Sequence, residues 1–321
     1  VITVFIGTFN RLDTLERTIG SYRRFGDYEL VIVDNGSWHP DCVRLLAEIE
    51  KLPEVAKIYS LPASMDMNDL SNNFVTAIDD WRSQTKSKWF AVSEADVSFD
   101  GADQGALDAY VALAEETGRA VGPHLCVDDI PHGYPLRNRV LSCESRLLYR
   151  ESMTQCLGIY YSPWQIDTTF HLFPRHQSFR RLHMDTVRVG PPYAAKHLDW
   201  YLDIHNPTDE NRIYIHRVPG VGSWGRQWIA DYWLCFQESG AEAAFELLSR
   251  SPLNKHGDLC INSFLLSWCY QHGVGCEQDR GKSVWWLHNA IPRPTFNEYR
   301  VYEGNWEEMI YEDRFECLGW S

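Results

Sequence analysis

Short apolar runs alternate with segments of helical period through the first hundred residues, and this alternation restricts the fold more than any other feature of the chain. Residues 1–8, 29–33, 56–61 and 88–92 are apolar, largely β-branched or aromatic runs of strand length. Between them, Leu15, Ile19 and Tyr22 form one helical stripe, Val43, Leu46 and Ile49 a second, and Phe74, Ile78 and Trp81 a third. Asp13 or Thr14 is expected to cap the first of these helices. Strands separated by helices must be joined by crossovers, so an α/β fold with a mostly parallel sheet flanked by helices is expected.

Open sheets of this kind bind ligands at the carboxyl ends of their strands. Polar residues gather at three such ends: Thr8, Asn10 and Arg11 after the first run, Asp34 after the second, Glu94 and Asp96 after the fourth. Loops are solvated and strands commonly end in polar residues, but three ends with this chemistry favour a site. Side chains alternate faces along a strand, so Glu94 and Asp96 are expected to point to the same side while Ala95 points away. Two carboxylates so held repel each other unless a cation neutralises them, and hard divalent cations prefer oxygen ligands.

Farther along, residues 120–127 and 186–189 read as strands, 128–139 as a loop, and 140–149 alternate weakly. Residues 165–174 form an apolar segment, helical or extended, opened by Asp167; with His197 and Asp199 it gives a second candidate chemical group. Helices are expected over 225–238, 241–250, 258–272 and 281–290. Turn residues near 205–222 mark a boundary, giving a domain over 1–215 and a helical C-terminal region over 216–321.

The net charge of −14 argues against a nucleic-acid or anionic-membrane surface, which needs clustered Lys and Arg. Nine cysteines with no CxxC pair exclude the usual zinc spacings and fit free thiols in a reducing, cytoplasmic setting. No run of 18 apolar residues exists, so no transmembrane helix is expected, although peripheral membrane association stays open. The chain begins inside an apolar run with no signal-peptide layout, which suits one piece of a longer protein.

Taken in order, Thr8-Phe9-Asn10-Arg11, then Val31-Ile32-Val33-Asp34-Asn35-Gly36-Ser37, Ser71-Asn72-Asn73 and Glu94-Ala95-Asp96 resemble the nucleotide-sugar half of a GT-A glycosyltransferase of the family-two type. The resemblance implies a Rossmann-like GT-A sheet, a nucleotide-sugar donor with UDP favoured, a glycan acceptor, and Mn2+ or Mg2+ as cofactor. It sets Thr8, Asn10, Arg11, Asp34, Asn73, Glu94 and Ala95 around the nucleotide, with Asp34 accepting from the base. Glu94-Ala95-Asp96 stands where the family has its DxD motif, a departure that keeps both charges but lengthens the first arm. Asp96 is therefore the first expected metal ligand, Glu94 the second, and His197 either completes the shell or is a structural histidine.

The family also places an acidic catalytic residue at the start of a later helix; Asp167 is the best match and Asp199 the competitor. Arg11, with Arg180 or Arg181, would add positive charge near the phosphates. Trp164, Trp200 and Trp224 are candidates to stack on acceptor sugars. Residues 263–290 resemble one SEL-one-like helical repeat, with its Tyr, two glycines, Asp, Lys, Trp and Ala at that pattern's spacing, and this suggests a protein-contact role for the C-terminal helices. A nucleotidyltransferase is the enzyme rival, disfavoured because Gly7-Thr8-Phe9-Asn10-Arg11 lacks a Gly-rich phosphate loop. A non-catalytic nucleotide-sugar or glycan-binding module is the rival outside enzymes.

Overall fold

A computed structural model describes residues 1–62, 67–138, 140–141, 144, 153–163, 166, 169–179, 186–203, 208–212, 226–250 and 261–290. The chain divides into two compact units. The first holds residues 1–126, 146–199 and 208–218; the second holds 127–145, 200–207 and 219–321.

The first unit is built on a nine-stranded sheet. Its strands are β1 (Ile2–Thr8), β2 (Tyr28–Asp34), β3 (Val55–Ser60), β4 (Trp89–Glu94), β6 (Ala120–Pro123), β7 (Thr154–Cys156), β8 (Ile159–Ser162), β9 (Phe170–Pro174) and β10 (Thr186–Val189), in the order β3-β2-β1-β4-β9-β6-β10-β8-β7. β8 and β9 run against the other seven strands, so the sheet is mostly parallel, as expected from the alternation. A separate antiparallel pair joins β5 (Val97–Ser98) to β11 (Lys196–His197). Helices α1 (Asp13–Tyr22), α2 (Pro40–Ile49), α3 (Met67–Gln84) and α4 (Ala106–Thr117) connect the strands.

The predicted stripes of α1 and α3 are buried; on α2 Leu46 and Ile49 are buried together with Cys42, while Val43 is exposed. Phe74, Ile78 and Trp81 of α3 pack with Phe5, Val31, Val33, Phe90 and Val92, which alternate along β1, β2 and β4 and so share one sheet face. The Phe5 ring meets Trp81 edge-on at 5.6 Å between centroids, and burying each such side chain contributes about 1.5–3 kcal/mol. Leu15, Ile19 and Tyr22 of α1 are equally buried, with Tyr22 edge-on to Phe99 at 5.4 Å.

Three expectations are corrected and one open alternative is decided. β4 stops at Glu94, and Ala95 and Asp96 form the turn into β5, so the two acids do not share a strand face. Neither Asp13 nor Thr14 caps α1: Leu12 holds the N-cap position and makes no side-chain bond there. Of the two forms left open for 165–174, residues 170–174 take the extended one as strand β9, antiparallel to β4 and β6; Phe170, His171, Leu172 and Phe173 are all buried, and a strand covered on both faces shows no alternation to distinguish it from helix. The described residues 140, 141 and 144 are helical, not weakly alternating; the β7–β8 hairpin comes after them, and its turn residues Leu157 and Gly158 both take positive φ, as a type I′ turn requires.

The second unit contains α5 (Arg226–Ser239), α6 (Ala241–Arg250), α7 (Ile261–His272) and α8 (Arg280–Ala290), close to the expected helices. α7 and α8 pair through a turn in which Gly273 and Gly275 have φ near +70°, and the Ser267 and Ser283 hydroxyls meet at 3.1 Å in the buried seam. A Cβ on Gly275 would lie 2.2 Å from the Ala241 carbonyl oxygen, so this turn can approach α6 only as glycine. Among the described residues no helix is long and apolar enough to cross a membrane. The six described cysteines are free thiols.

Candidate active site

Strand register sets the frame. Thr8 at the end of β1 lies opposite Asp34 of β2, and Gly7 lies opposite Glu94 of β4. The three polar ends therefore form one row, with Asp34 and Glu94 two strand spacings, or about 10 Å, apart.

At the β1–β2 end a hydrogen-bonded net fixes the loops. Asn10 takes a left-handed conformation, φ +48°, which few residues other than Gly, Asn and Asp tolerate. The conformation is held because the Asn10 carboxamide oxygen accepts from the Trp38 and His39 backbone N–H groups, both at 3.0 Å, while its own N–H donates to Ser37 Oγ at 2.8 Å. Asn35 donates through its backbone and its side chain to the Thr8 carbonyl, and Asn73 of α3 donates to Asn35 Oδ1 at 2.8 Å. Asp34 is buried and accepts from the Ser37 N–H at 3.0 Å. Burial raises its pKa above the ordinary aspartate value, and the bonds from Ser37 and Gly36 only partly offset this.

At the β4 end the decisive group is Arg11. Its guanidinium is buried and meets three carboxylates. Nη1 and Nη2 grip Asp199 bidentately, each at 2.9 Å; Nη2 also donates to Asp96 Oδ2 at 3.0 Å, and Nη1 to Glu210 Oε1 at 3.1 Å. Bidentate Arg–carboxylate pairs are among the stronger polar contacts, and removing one partner of a buried pair costs about 3–5 kcal/mol. Asp96 is further fixed by its carbonyl, which accepts from the Leu198 N–H at 2.7 Å, so β11 and the turn after it bring His197 and Asp199 to the DxD position.

Glu210 was not legible as a site residue. It is 1% exposed, and its oxygens accept from Leu12 N at 2.7 Å, Thr14 N at 3.0 Å and Thr14 Oγ1 at 2.6 Å. A carboxylate at a helix N-terminus satisfies donors that the helix itself cannot, and the dipole favours its charge. Glu210 thus does for α1 what Asp13 or Thr14 was expected to do. Nothing local marks it, because its partners lie nearly two hundred positions earlier.

The remaining expected residues fall as follows. Glu94 is partly exposed, and its N–H donates to the Thr169 carbonyl at 2.9 Å; Ala95 is buried, and its carbonyl accepts from Thr18 Oγ1 at 2.9 Å. Asp167, Arg180, Arg181, Trp164 and Trp224 lie outside the described residues. Trp200 has no exposed surface, so it cannot stack on a sugar. Asp199 does reach the site, but both its oxygens already accept from Arg11.

By donor type the β4 end suits a divalent cation: Asp96 offers carboxylate oxygen, His197 an imidazole on the adjoining strand, and two carboxylates already converge on one cationic nitrogen. Among the described residues no group of three His, Cys, Asp or Glu side chains stands ready to hold a metal ion. Further ligands would have to come from the substrate's phosphates or from movement of Arg11.

The family model for "Glycosyl transferase family 2" matches residues 3–165, just over half the chain. The chain belongs to glycosyl transferase family 2. It is a glycosyltransferase, and the row of polar strand ends lies within the matched span. No functionally curated protein matches the family-2 chain. Among solved structures it is similar to the mannosyltransferase PcManGT from Pyrobaculum calidifontis in complex with GDP-Man and Mn2+, at 12% identity over 94% of this chain and 77% of that one, with a TM-score of 0.42. It is similar to S. aureus TarS 1-349 at 10% identity over 85% and 91% of the two chains, TM-score 0.40. A third is glucosyl-3-phosphoglycerate synthase from Mycobacterium tuberculosis in complex with Mn2+, UDP and glucosyl-3-phosphoglycerate, at 13% identity over 55% and 57%, TM-score 0.28. Likenesses this loose carry no functional argument; the family assignment does.

Proposed function

We propose that this family-2 enzyme transfers a sugar from a nucleotide diphosphate, UDP favoured, to a hydroxyl of a glycan acceptor, with inversion at the anomeric carbon and with Mn2+ or Mg2+ as cofactor. The observation that carries the reading is the register that aligns Thr8, Asp34 and Glu94 in one row at the strand ends, with Asp96 in the turn just beyond. That row has the Asp34 carboxylate at one end and Glu94 about 10 Å away at the other.

Asp34 accepts a hydrogen bond from the ring N–H of the base, which favours uracil. Asn10, Asn35 and Asn73 hold the loops against which ribose lies. A divalent cation held by Asp96, with Glu94 and His197, would neutralise charge on the leaving diphosphate. Asp167 removes the proton of the acceptor hydroxyl as its oxygen bonds to C1 from the face opposite the departing phosphate oxygen. Asp199 is the weaker candidate for that step, since a carboxylate gripped by a guanidinium is a poor proton acceptor. The α7–α8 pair is read as a SEL-one-like repeat within a helical region over 216–321, and its half-exposed Trp285 offers a protein contact.

Burial of Asp34 gives a test. Protonation leaves Asp34 only an uncharged and weaker acceptor for the base, and its pKa lies above the ordinary aspartate value. Uridine affinity of the wild type is therefore expected to fall as pH drops, beginning at higher pH than an exposed aspartate would allow. Asp34→Asn should bind uridine about tenfold more weakly at pH 7 and lose the acid limb that Asp34 produces, as read by calorimetric titration from pH 4 to 8 with uridine, which has no phosphate to titrate in that range. Equal affinity for the two proteins at every pH would remove Asp34 from the base site.

A further inference from the structure

The Arg11 cluster contains more than a nucleotide site requires. Nη2 of Arg11 touches Asp96 Oδ2 and Asp199 Oδ2 at once, so a single nitrogen occupies the space between the two carboxylates. A divalent cation bound through Asp96 Oδ2 would sit about 2.0–2.2 Å from that oxygen, inside the volume that this nitrogen holds. Two cations cannot share it, so metal entry at Oδ2 requires the guanidinium to withdraw. Glu210 supplies the other anchor: it holds Nη1 from behind, and its own oxygens are fixed by Leu12 N, Thr14 N and Thr14 Oγ1, so it cannot follow Arg11 toward Asp96.

We propose that Arg11, tethered by the positioning residue Glu210, is an internal cation that competes with the catalytic divalent metal for Asp96 and Asp199. The inference rests on the proposed assignment of Asp96 as metal ligand. With no metal bound, Arg11 compensates the two acids; when metal and diphosphate enter, the guanidinium retreats along the Glu210 side, toward the phosphates.

The test is direct Mn2+ binding to the full chain in the presence of UDP, read from the loss of the free-ion electron paramagnetic resonance signal, for wild type, Arg11→Met, Glu210→Gln and Asp96→Asn. Arg11→Met removes the competing charge and is expected to tighten Mn2+ binding about tenfold. Glu210→Gln keeps an oxygen to cap α1 but loses the charge behind Arg11, which then rests wholly on Asp96 and Asp199; Mn2+ binding should weaken about threefold. A Glu210 that only caps the helix would leave Mn2+ affinity unchanged in Glu210→Gln, and that result overturns the proposal. Should Arg11→Met fail to fold, Glu210→Gln decides alone. Asp96→Asn separates the two layers. Weakened binding in Asp96→Asn with no tightening in Arg11→Met sinks the competition alone, whereas unchanged binding in Asp96→Asn sinks the metal assignment and the competition with it.

Discussion

Asp96→Asn is expected to lower kcat/KM for glycosyl transfer on the order of 10³-fold while leaving the fold intact. The substitution preserves shape and keeps the backbone carbonyl that accepts from Leu198 N–H. What it removes is one full negative charge, buried at 2% exposure, at the point where the donor's diphosphate and its cation are proposed to meet. Arg11 retains Asp199 and Glu210, so no charge is stranded. UDP should still bind through the Asp34 end, and the deficit should fall mainly in kcat, because the lost interaction matters most as charge develops on the leaving group. Steady-state kinetics with circular dichroism as a folding control reads both parts. A variant that retains more than a tenth of wild-type kcat would place the reaction's charge stabilisation elsewhere.

The second large effect concerns the sheet. Gly122 in β6 faces the β9 backbone so closely that an added Cβ would lie 2.4 Å from the Phe170 carbonyl oxygen and 2.9 Å from Ile166 Cδ1. Neither atom can yield cheaply: Phe170 is paired with Ser93 of β4, and Ile166 is buried with its N–H bound to Thr186 Oγ1 at 3.1 Å. Gly122→Ala should therefore push β9 away from β6 and cost about 3 kcal/mol, at the upper end for overpacking a core. The strain passes to the site, since the Thr169 carbonyl that accepts from the Glu94 N–H immediately precedes β9. Thermal denaturation should show a melting point lower by several degrees, and the surviving folded protein should have reduced activity. An unchanged melting point would mean that β9 relaxes at no cost and that its register is not what fixes the β4 end.

These two residues also mark the division between what the sequence discloses and what it does not. The row of polar strand ends was readable because each of its parts is local. An apolar run, a polar turn and a helical stripe follow one another within about twenty residues, and Thr8, Asn10, Arg11, Asp34 and the Glu94–Asp96 pair lie at or just beyond those junctions, whereas Asn73 lies inside α3, which begins at Met67. The stripes on α1 and α3 are buried as their period predicts. Other features depended on long-range pairing. The stop of β4 at Glu94 reflects the pairing of β5 with β11, a hundred residues later, which turns the chain at Ala95 and Asp96. β9 is covered on both faces and so lost its period. Glu210 meets Arg11 and α1 from a short helical segment, residues 209–212, whose sequence gives no hint of them. Arg11 could be named as a charge near the phosphates, but not as the partner of three acids, because an ion pair leaves no periodic trace.

The central claim is that the aligned ends of β1, β2 and β4 bind a nucleotide sugar and release its nucleoside diphosphate. It is tested most directly by incubating the protein and Asp96→Asn with a panel of nucleotide sugars and Mn2+, and measuring free nucleoside diphosphate. Consumption of one donor, with UDP as the released nucleotide, and a rate at least a hundredfold lower for Asp96→Asn is the expected result. No release from any donor, together with no melting-point shift from any nucleoside diphosphate, would contradict it.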